Sequence, residues 1–172
     1  MCVDVSPSVT VLRPVAISTM NDFLVRLRAM PGVTGAGGTS GFPLRGTLEA
    51  SLFVVLRGDA LDPKNPMQSR QRVVTPGFFA TRGSKIVTGR DFNDSDRQGG
   101  PVAAIVNRTF VRRNLPNRDP IGVHFAAGYP NVDPRNEAVI VGVVDDIRQK
   151  ANDTAAEPGF YTAHAQVPFP RL

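Results

Sequence analysis

The sequence predicts an α+β fold of mixed or antiparallel sheets with short helices and more strand than helix. Its 172 residues include 16 glycines and 15 prolines, which favour short elements joined by turns and argue against a long helical bundle. Apolar and β-branched runs of strand length recur along the chain, and two stretches show helical spacing. Hydrophobic residues make up 41% of the chain, which is enough for a buried core.

The first predicted helix covers residues 18–30. Ser18 is expected to cap it, and Asp22 to favour its first turn, where the helix dipole is positive. Residues 9–17 before it read as a strand or extended segment that is interrupted by Pro14. Residues at the spacing i, i+3, i+4 and i+7 form one apolar face of the helix: Met20, Phe23, Leu24 and Leu27.

The second half of the chain is predicted to consist of strands, apart from one short helix. The run at 101–107 is apolar throughout, as expected for a strand buried on both faces, and the run at 137–149 contains the strongest strand. Asn107 can cap a helix of about two turns, and Pro76-Gly77 precedes an aromatic turn. Further strands are predicted within 49–58, 70–74, 84–92, 119–128 and 158–166.

The charge balance argues against a committed nucleic-acid binder. The chain has 20 basic and 15 acidic residues and a net charge of +5, a modest excess. Aromatic residues are 7%, without tryptophan, so stacking platforms for bases are scarce and nucleic acid is not expected as a partner. No apolar run approaches the roughly 18 residues that span a bilayer, and the first twenty residues lack a signal-peptide pattern.

A cluster of arginines lies in the stretch NRTFVRRNLPNRDPIG, residues 107–122. Arg108 and Arg112 are four residues apart and share a helix face, with Arg113 beside them. Two interpretations stay open. A solvated helix face is the default, and a basic face that contacts a partner or lipid headgroups is the alternative.

No group of residues has the spacing of a catalytic or cofactor site. The glycines between 32 and 41 lack the dinucleotide-binding spacing, and the chain has no Gly-Lys-Ser/Thr phosphate loop. Cys2 lies near the terminus and is a poor candidate nucleophile. His124 and His164 are each alone within a strand, without metal-ligand spacing. The sequence therefore predicts no enzyme.

Two acidic clusters are the remaining chemical candidates. Asp91, Asp94 and Asp96 lie in a stretch with oxygen ligands at alternating positions, as in calcium loops, but the sixth-position glycine and the twelfth-position glutamate are missing. Asp145 and Asp146 follow a buried strand and would need a histidine or a metal nearby for acid–base work. A polar turn is predicted at both clusters. A metal-dependent enzyme that uses these carboxylates is a further hypothesis, weaker than the two given below.

Several short motifs together resemble one known family. In order they are LRAMPGV, VVTPGFFATRG, GRDF, VAAIVNRTFVRRNLPNRDPIG, VIVGVVDDIRQ and EPGFYTAHAQVPFP. The set is similar to the periplasmic core domain of MacB-like ABC transporter permeases, also called FtsX-like permeases, and most of all to the duplicated orphan permeases of acidobacteria. The resemblance covers residues from about 20 to 170.

The resemblance implies a domain outside the inner membrane, between the first two transmembrane helices of a permease. It has a porter-like subdomain with βαβ units and a smaller mixed α/β subdomain inserted within it, and family members continue with further strands and a helix. The implied division is 1–60 for the first half of the porter-like part, 61–69 for a linker, 70–166 for the inserted subdomain and 167–172 for the return.

The implied role is to transmit motion or to contact substrate or partner proteins, without catalysis. No cofactor is expected on this domain, because ATP is used by a separate nucleotide-binding subunit or domain. The implied partners are that subunit, reached through the transmembrane part, a second permease copy, and a periplasmic adaptor or substrate. The alternative hypothesis is a free-standing periplasmic module that binds a small molecule or lipid in a deep apolar pocket.

Five residues are expected to be structural signatures of this family, as a helix cap and turn or strand positions: Asn107, Asp119, Pro120, Gly122 and Gly142. The sequence departs from the family pattern at Arg82 and Ser84, where apolar residues are common, and at Asp145, where glycine is common.

Overall fold

The structure, a computed structural model, describes residues 13–40, 50–59, 66–128, 131–133, 137–147 and 156–167. Cys2 and Gly41 lie outside this part, as do most of the predicted linker and all but the first residue of the predicted return segment. The described elements are α1 (Arg13–Arg28), β1 (Ala50–Leu56), β2 (Met67–Val74), α2 (Phe78–Arg82), β3 (Ile86–Gly89), β4 (Val102–Asn107), α3 (Arg108–Asn114), β5 (His124–Gly128), β6 (Glu137–Val144) and β7 (Gly159–Ala163).

The seven strands form one mixed sheet that closes on itself. The strand order is β3-β6-β4-β7-β2-β1-β5, and β5 pairs with β6 as well as with β1. Six strands therefore make a barrel, and β3 pairs with β6 outside this ring. The β2–β7 and β4–β6 pairs are parallel, whereas the other pairs are antiparallel. The predicted α+β class with mixed sheets and short helices is confirmed.

The barrel interior is filled by aromatic and aliphatic side chains. Phe125 lies between Phe110 and Phe160, with ring centroids 5.6 and 5.3 Å away, and all three rings are buried. Burying a side chain of this size contributes about 1.5–3 kcal/mol. Phe110 comes from α3, so this helix closes one end of the barrel. The other buried members of this cluster are Val54, Leu56, Ala104, Val106, Leu115, Val123, Ala138, Ile140 and Val143.

A second core covers the outer face of the sheet beneath α2. Phe79 is fully buried and meets Tyr161 edge-on at 5.0 Å between ring centroids. The sequence predicted only an aromatic turn here, whereas Phe78–Arg82 forms a helix between Gly77 and Gly83. Both glycines adopt the left-handed conformation, which ends so short a helix at each side with little steric cost.

The chain joins the barrel and leaves it at the same end. Ser40 donates its backbone N–H to the Val73 carbonyl at 2.9 Å, and His164 donates to the Val74 carbonyl at 2.8 Å. Both segments thus meet the end of β2. We call this the connection end. Because β4 runs antiparallel to β7 and β7 parallel to β2, α3 begins at the opposite end, the α3 end.

The prediction for the start of the chain is partly wrong. Residues 13–17 are helical rather than extended, because Pro14 lies in the first turn of α1, where a missing N–H costs nothing. Residues 9–12 lie outside the described part. Ser18 is inside α1 and donates its hydroxyl to the Val15 carbonyl at 3.1 Å, so it does not cap the helix.

The predicted apolar face of α1 is only partly covered. Leu24 is buried, whereas Phe23 is exposed, and Met20 and Leu27 are intermediate. Among the described helices, none combines the length and apolar character required to cross a membrane.

The strands on either side of residues 60–65, β1 and β2, belong to the same sheet. β2 begins at Met67 inside the predicted linker at 61–69, and β1 before it pairs with β2 and β5. The assignment of residues on either side to a porter-like and an inserted subdomain stays a prediction.

Candidate functional site

Asn107 joins the start of α3 to the start of β7. Its Oδ1 accepts the backbone N–H of Phe110 at 2.8 Å and that of Gly159 at 3.0 Å, and its Nδ2 donates to the Glu157 carbonyl at 2.8 Å. The side chain is therefore the helix cap that the sequence predicted. A cap of this kind contributes about 1 kcal/mol, and this one also fixes where β7 begins.

The Asp145-Asp146 pair holds the first turn of α3. Asp146 accepts the backbone N–H of Thr109 at 2.8 Å through Oδ1 and the Thr109 hydroxyl at 2.9 Å through Oδ2. Asp145 accepts a hydrogen bond from Arg108 Nε at 2.5 Å. Both carboxylates thus serve as hydrogen-bond acceptors for the helix.

Two of the three arginines in the predicted basic face are held by these contacts. Arg108 engages Asp145, and Arg112 donates Nη2 to Thr109 Oγ1 at 2.6 Å with Asp146 Oδ2 3.9 Å away. Arg113 makes no ion pair with any residue that the structure describes. All three residues are exposed, and a role in partner or lipid contact stays a prediction.

The acidic stretch at 91–96 closes around an arginine. Arg90 donates Nη1 and Nη2 to the two carboxylate oxygens of Asp96 at 2.7 and 2.8 Å, and Asn93 N–H donates to Asp96 Oδ2 at 2.9 Å. Asp96 is 5% exposed. We call residues 90–96 the Arg90–Asp96 clasp. The clasp could not be found from sequence, because no regular spacing pairs the two residues.

Two carboxyl groups of the clasp have shifted pKa values. Burial acts to raise the pKa of Asp96, but hydrogen bonds from Arg90 and Asn93 and the charge of Arg90 outweigh it, so the pKa is lowered. The pKa of Asp91 is raised, chiefly by burial and also by the charge of Asp96, against a hydrogen bond from Phe92 N–H. The guanidinium thus supplies the positive charge that a calcium ion would supply.

The described residues contain no group of three or more His, Cys, Asp or Glu side chains that could hold a metal ion. His124 lies on β5 with its Nδ1 3.3 Å from Glu137 Oε2, which also accepts Arg57 Nη2 at 2.7 Å. His164 is buried just after β7.

The remaining signature residues have local structural roles. Asp119 accepts the Ile121 N–H at 3.0 Å, and Pro120 accepts the Val123 N–H through its carbonyl at 3.2 Å. Gly122 has a φ of 80°, a conformation that favours glycine.

Gly142 lies where the clasp crosses β6. A Cβ there would stand 2.3 Å from the Arg90 carbonyl oxygen. Only glycine permits that approach.

The glycine-rich segment near residue 37 is also a place of close backbone approach. A Cβ on Gly37 would lie 2.6 Å from Phe78 Cα, and Gly38 exchanges hydrogen bonds with Thr75 at 2.7 and 3.0 Å. Arg28 adds a link by donating to the carbonyls of Ala36 and Pro76 at 2.8 and 3.0 Å. The segment therefore anchors α1 to the connection end, a role that the sequence did not indicate.

Two open depressions lie on the described surface. One, of about 590 Å³, lies between residues 28–36 and 76–81, and the other, of about 560 Å³, lies beside Arg57 and Glu137. The deep apolar pocket expected for a small-molecule or lipid module is not found within the described residues.

The fold of the chain is similar to that of solved extracytoplasmic domains of ABC-type transporters. It matches the periplasmic region of MacB from Actinobacillus actinomycetemcomitans with a TM-score of 0.57 and 12% identity over 86% of this chain and 56% of that one. It matches the extracellular domain of the noncanonic ABC-type transporter YknZ from Gram-positive bacteria with a TM-score of 0.53 and 14% identity over 83% and 60%.

The chain thus spans less than two thirds of the solved domains that it matches. No protein-family model matches the chain, and no curated protein matches it in sequence. At this level of identity, the likeness shows a shared fold.

Proposed function

We propose that the chain is an extracytoplasmic domain of an ABC-type permease, held at the cell membrane on the periplasmic side. The fold likeness carries this proposal, because it covers 86% of the chain and joins it to a periplasmic region of MacB. The ordered motifs of the sequence resemble the same class.

The domain performs no bond chemistry in this proposal. The acidic clusters, which were the strongest chemical candidates, hold Arg90 and the start of α3 instead of open ligand positions. The domain receives motion from the membrane part, where a separate nucleotide-binding subunit uses ATP, and a second permease copy is its expected neighbour. Both described connections of the barrel, at Ser40 and His164, lie at the connection end, so we expect the barrel to move as one body.

The barrel then has a defined outer surface. The connection end faces the rest of the permease, and the α3 end faces away from it. Contact with a periplasmic adaptor or substrate is expected at exposed surfaces rather than in a buried pocket.

The test is a topology measurement on the whole protein that contains this chain. Alkaline phosphatase, which folds only outside the cytoplasm, is inserted in the exposed turn around Gly99 and Gly100. High phosphatase activity, and apolar spans of about twenty residues flanking the domain, are expected. A fusion that is stable but inactive, or a coding sequence without such spans, contradicts the proposal.

A further inference from the structure

We propose that the α3 end of the barrel docks an acidic segment of a partner protein, bound through Arg108, Arg112 and Arg113. The orientation of this surface rests on the proposed function, whereas the binding chemistry rests on contacts within the surface itself. We call residues 108–113 together with Asp145 and Asp146 the α3 corner.

Two arginines of α3, Arg108 and Arg112, are each held by one edge and open at the other. Arg108 uses Nε for Asp145, and Arg112 uses Nη2 for Thr109. A guanidinium carries five N–H donors in a planar fork. The donors on the far edge of each fork have no hydrogen bond to any residue in the described part of the chain.

The intramolecular contacts orient the arginines without cancelling their charge. The side chains of Arg108 and Asp145 are 54% and 43% exposed, so water screens the pair strongly. A fork that is already fixed loses less side-chain entropy when it binds a second carboxylate. The exposed Arg113, and Lys85 next to Asp145, add positive charge that no described ion pair balances.

The spacing of the arginines fits an acidic peptide. Arg108 and Arg112 are one helical turn apart, with Cβ atoms roughly 5–6 Å from each other. Carboxylates on alternate residues of an extended segment are about 6.6 Å apart. A segment with acidic residues at every second position can therefore place one carboxylate on each fork, in the bidentate geometry that arginine favours.

The fold favours a protein over the membrane as the occupant. Both segments that join the barrel to the rest of the chain lie at the connection end, beside Val73 and Val74. The α3 end is opposite. A barrel held to a membrane through these connections turns its arginines away from the lipid surface, towards other proteins.

The probe is a ten-residue fluorescent peptide of alternating glutamate and alanine, titrated with the full chain and followed by anisotropy. Arg112→Gln and Arg113→Gln are each expected to weaken binding about threefold, as exposed ion pairs do. Arg26→Gln is the matched control, because Arg26 is exposed on α1 and makes the same change of charge. An equal loss in the control overturns the proposal, since net charge alone would then explain binding.

A second variant separates fork geometry from charge. Arg108→Lys keeps the charge and can still pair with Asp145, but it loses the open edge. Weaker peptide binding at an unchanged melting temperature supports the proposal, and unchanged peptide binding contradicts it.

Vesicles of phosphatidylglycerol and phosphatidylcholine test the other source of negative charge. Sedimentation of the chain with vesicles that is lost in Arg112→Gln and Arg113→Gln would replace the protein partner with the membrane. These measurements are made in solution, so their failure leaves the topology test of the permease assignment untouched, and failure of that test leaves the peptide result untouched.

Discussion

The Arg90–Asp96 clasp and the α3 corner both join acidic residues to arginine, but the carboxylates differ in burial. Asp96 is 5% exposed and accepts three hydrogen bonds. Asp145 is 43% exposed and meets Arg108 through one. An exposed ion pair contributes little to stability, whereas a buried carboxylate with every oxygen occupied holds its loop in place. The first region is suited to structure, and the second leaves Arg108 and Arg112 exposed.

The clasp also depends on the strand that it crosses, and this gives the largest expected effect. Gly142→Ala would place a Cβ 2.3 Å from the Arg90 carbonyl oxygen, which forces the loop off β6. We expect a loss of about 3 kcal/mol in the free energy of unfolding, measured by urea denaturation.

Gly122→Ala is the matched control for this change. Its φ is positive, but no atom lies within 4 Å of the added Cβ, so the expected loss is about 1 kcal/mol. Gly142 lacks a positive φ, so its whole cost is expected to come from the crossing of clasp and strand. A loss at Gly142 no larger than that at Gly122 would contradict this account.

Removing the charge of Asp96 is the next largest change. Asp96→Asn cannot accept both arms of Arg90, and we expect a loss of about 1–3 kcal/mol at pH 7. The lowered pKa of Asp96 means that its stabilisation is present above the ordinary pKa near 4 and is lost as pH falls through the lower, folded value.

The raised pKa of Asp91 acts in the opposite direction. Its contribution is present below its ordinary pKa and is lost as pH rises through the folded value. Melting temperatures between pH 2 and 7 check both signs. Asp96→Asn is expected to flatten the acid loss, and Asp91→Asn to steepen it. An unchanged pH profile in Asp96→Asn would mean that the clasp does not stabilise the folded chain.

The sequence predicted the parts of the molecule whose signals are local. The apolar run at 101–107 became the buried strand β4, and Asn107 became the cap of α3, because periodicity and capping act over a few residues. The closure of the barrel depends on β5 meeting both β1 and β6, and no local signal encodes pairing between distant strands.

The same limit applies to the candidate site. The sequence showed the arginines of α3 as one helix face, but Asp145, the partner of Arg108, lies 37 residues away in sequence. Of the two predicted polar turns, the one at 91–96 is present at residues 94–96, whereas Asp145 and Asp146 do not lie in a turn. The partners of these acidic residues are visible only in the folded chain. Asp96 binds Arg90, and Asp145 and Asp146 bind the first turn of α3.

The smallest predicted effects lie within the α3 corner. Asp146→Ala removes the acceptor of the Thr109 N–H and hydroxyl, and we expect a loss of about 1 kcal/mol, as for a helix cap. Asp145→Ala removes an exposed ion pair, so a change of about 0.5 kcal/mol or less is expected. Urea denaturation of both variants measures the difference. A larger loss in Asp145→Ala would contradict the distinction between a carboxylate that caps the helix and one that only orients an arginine, and Arg108 would then belong to the structural framework rather than to a surface free to bind.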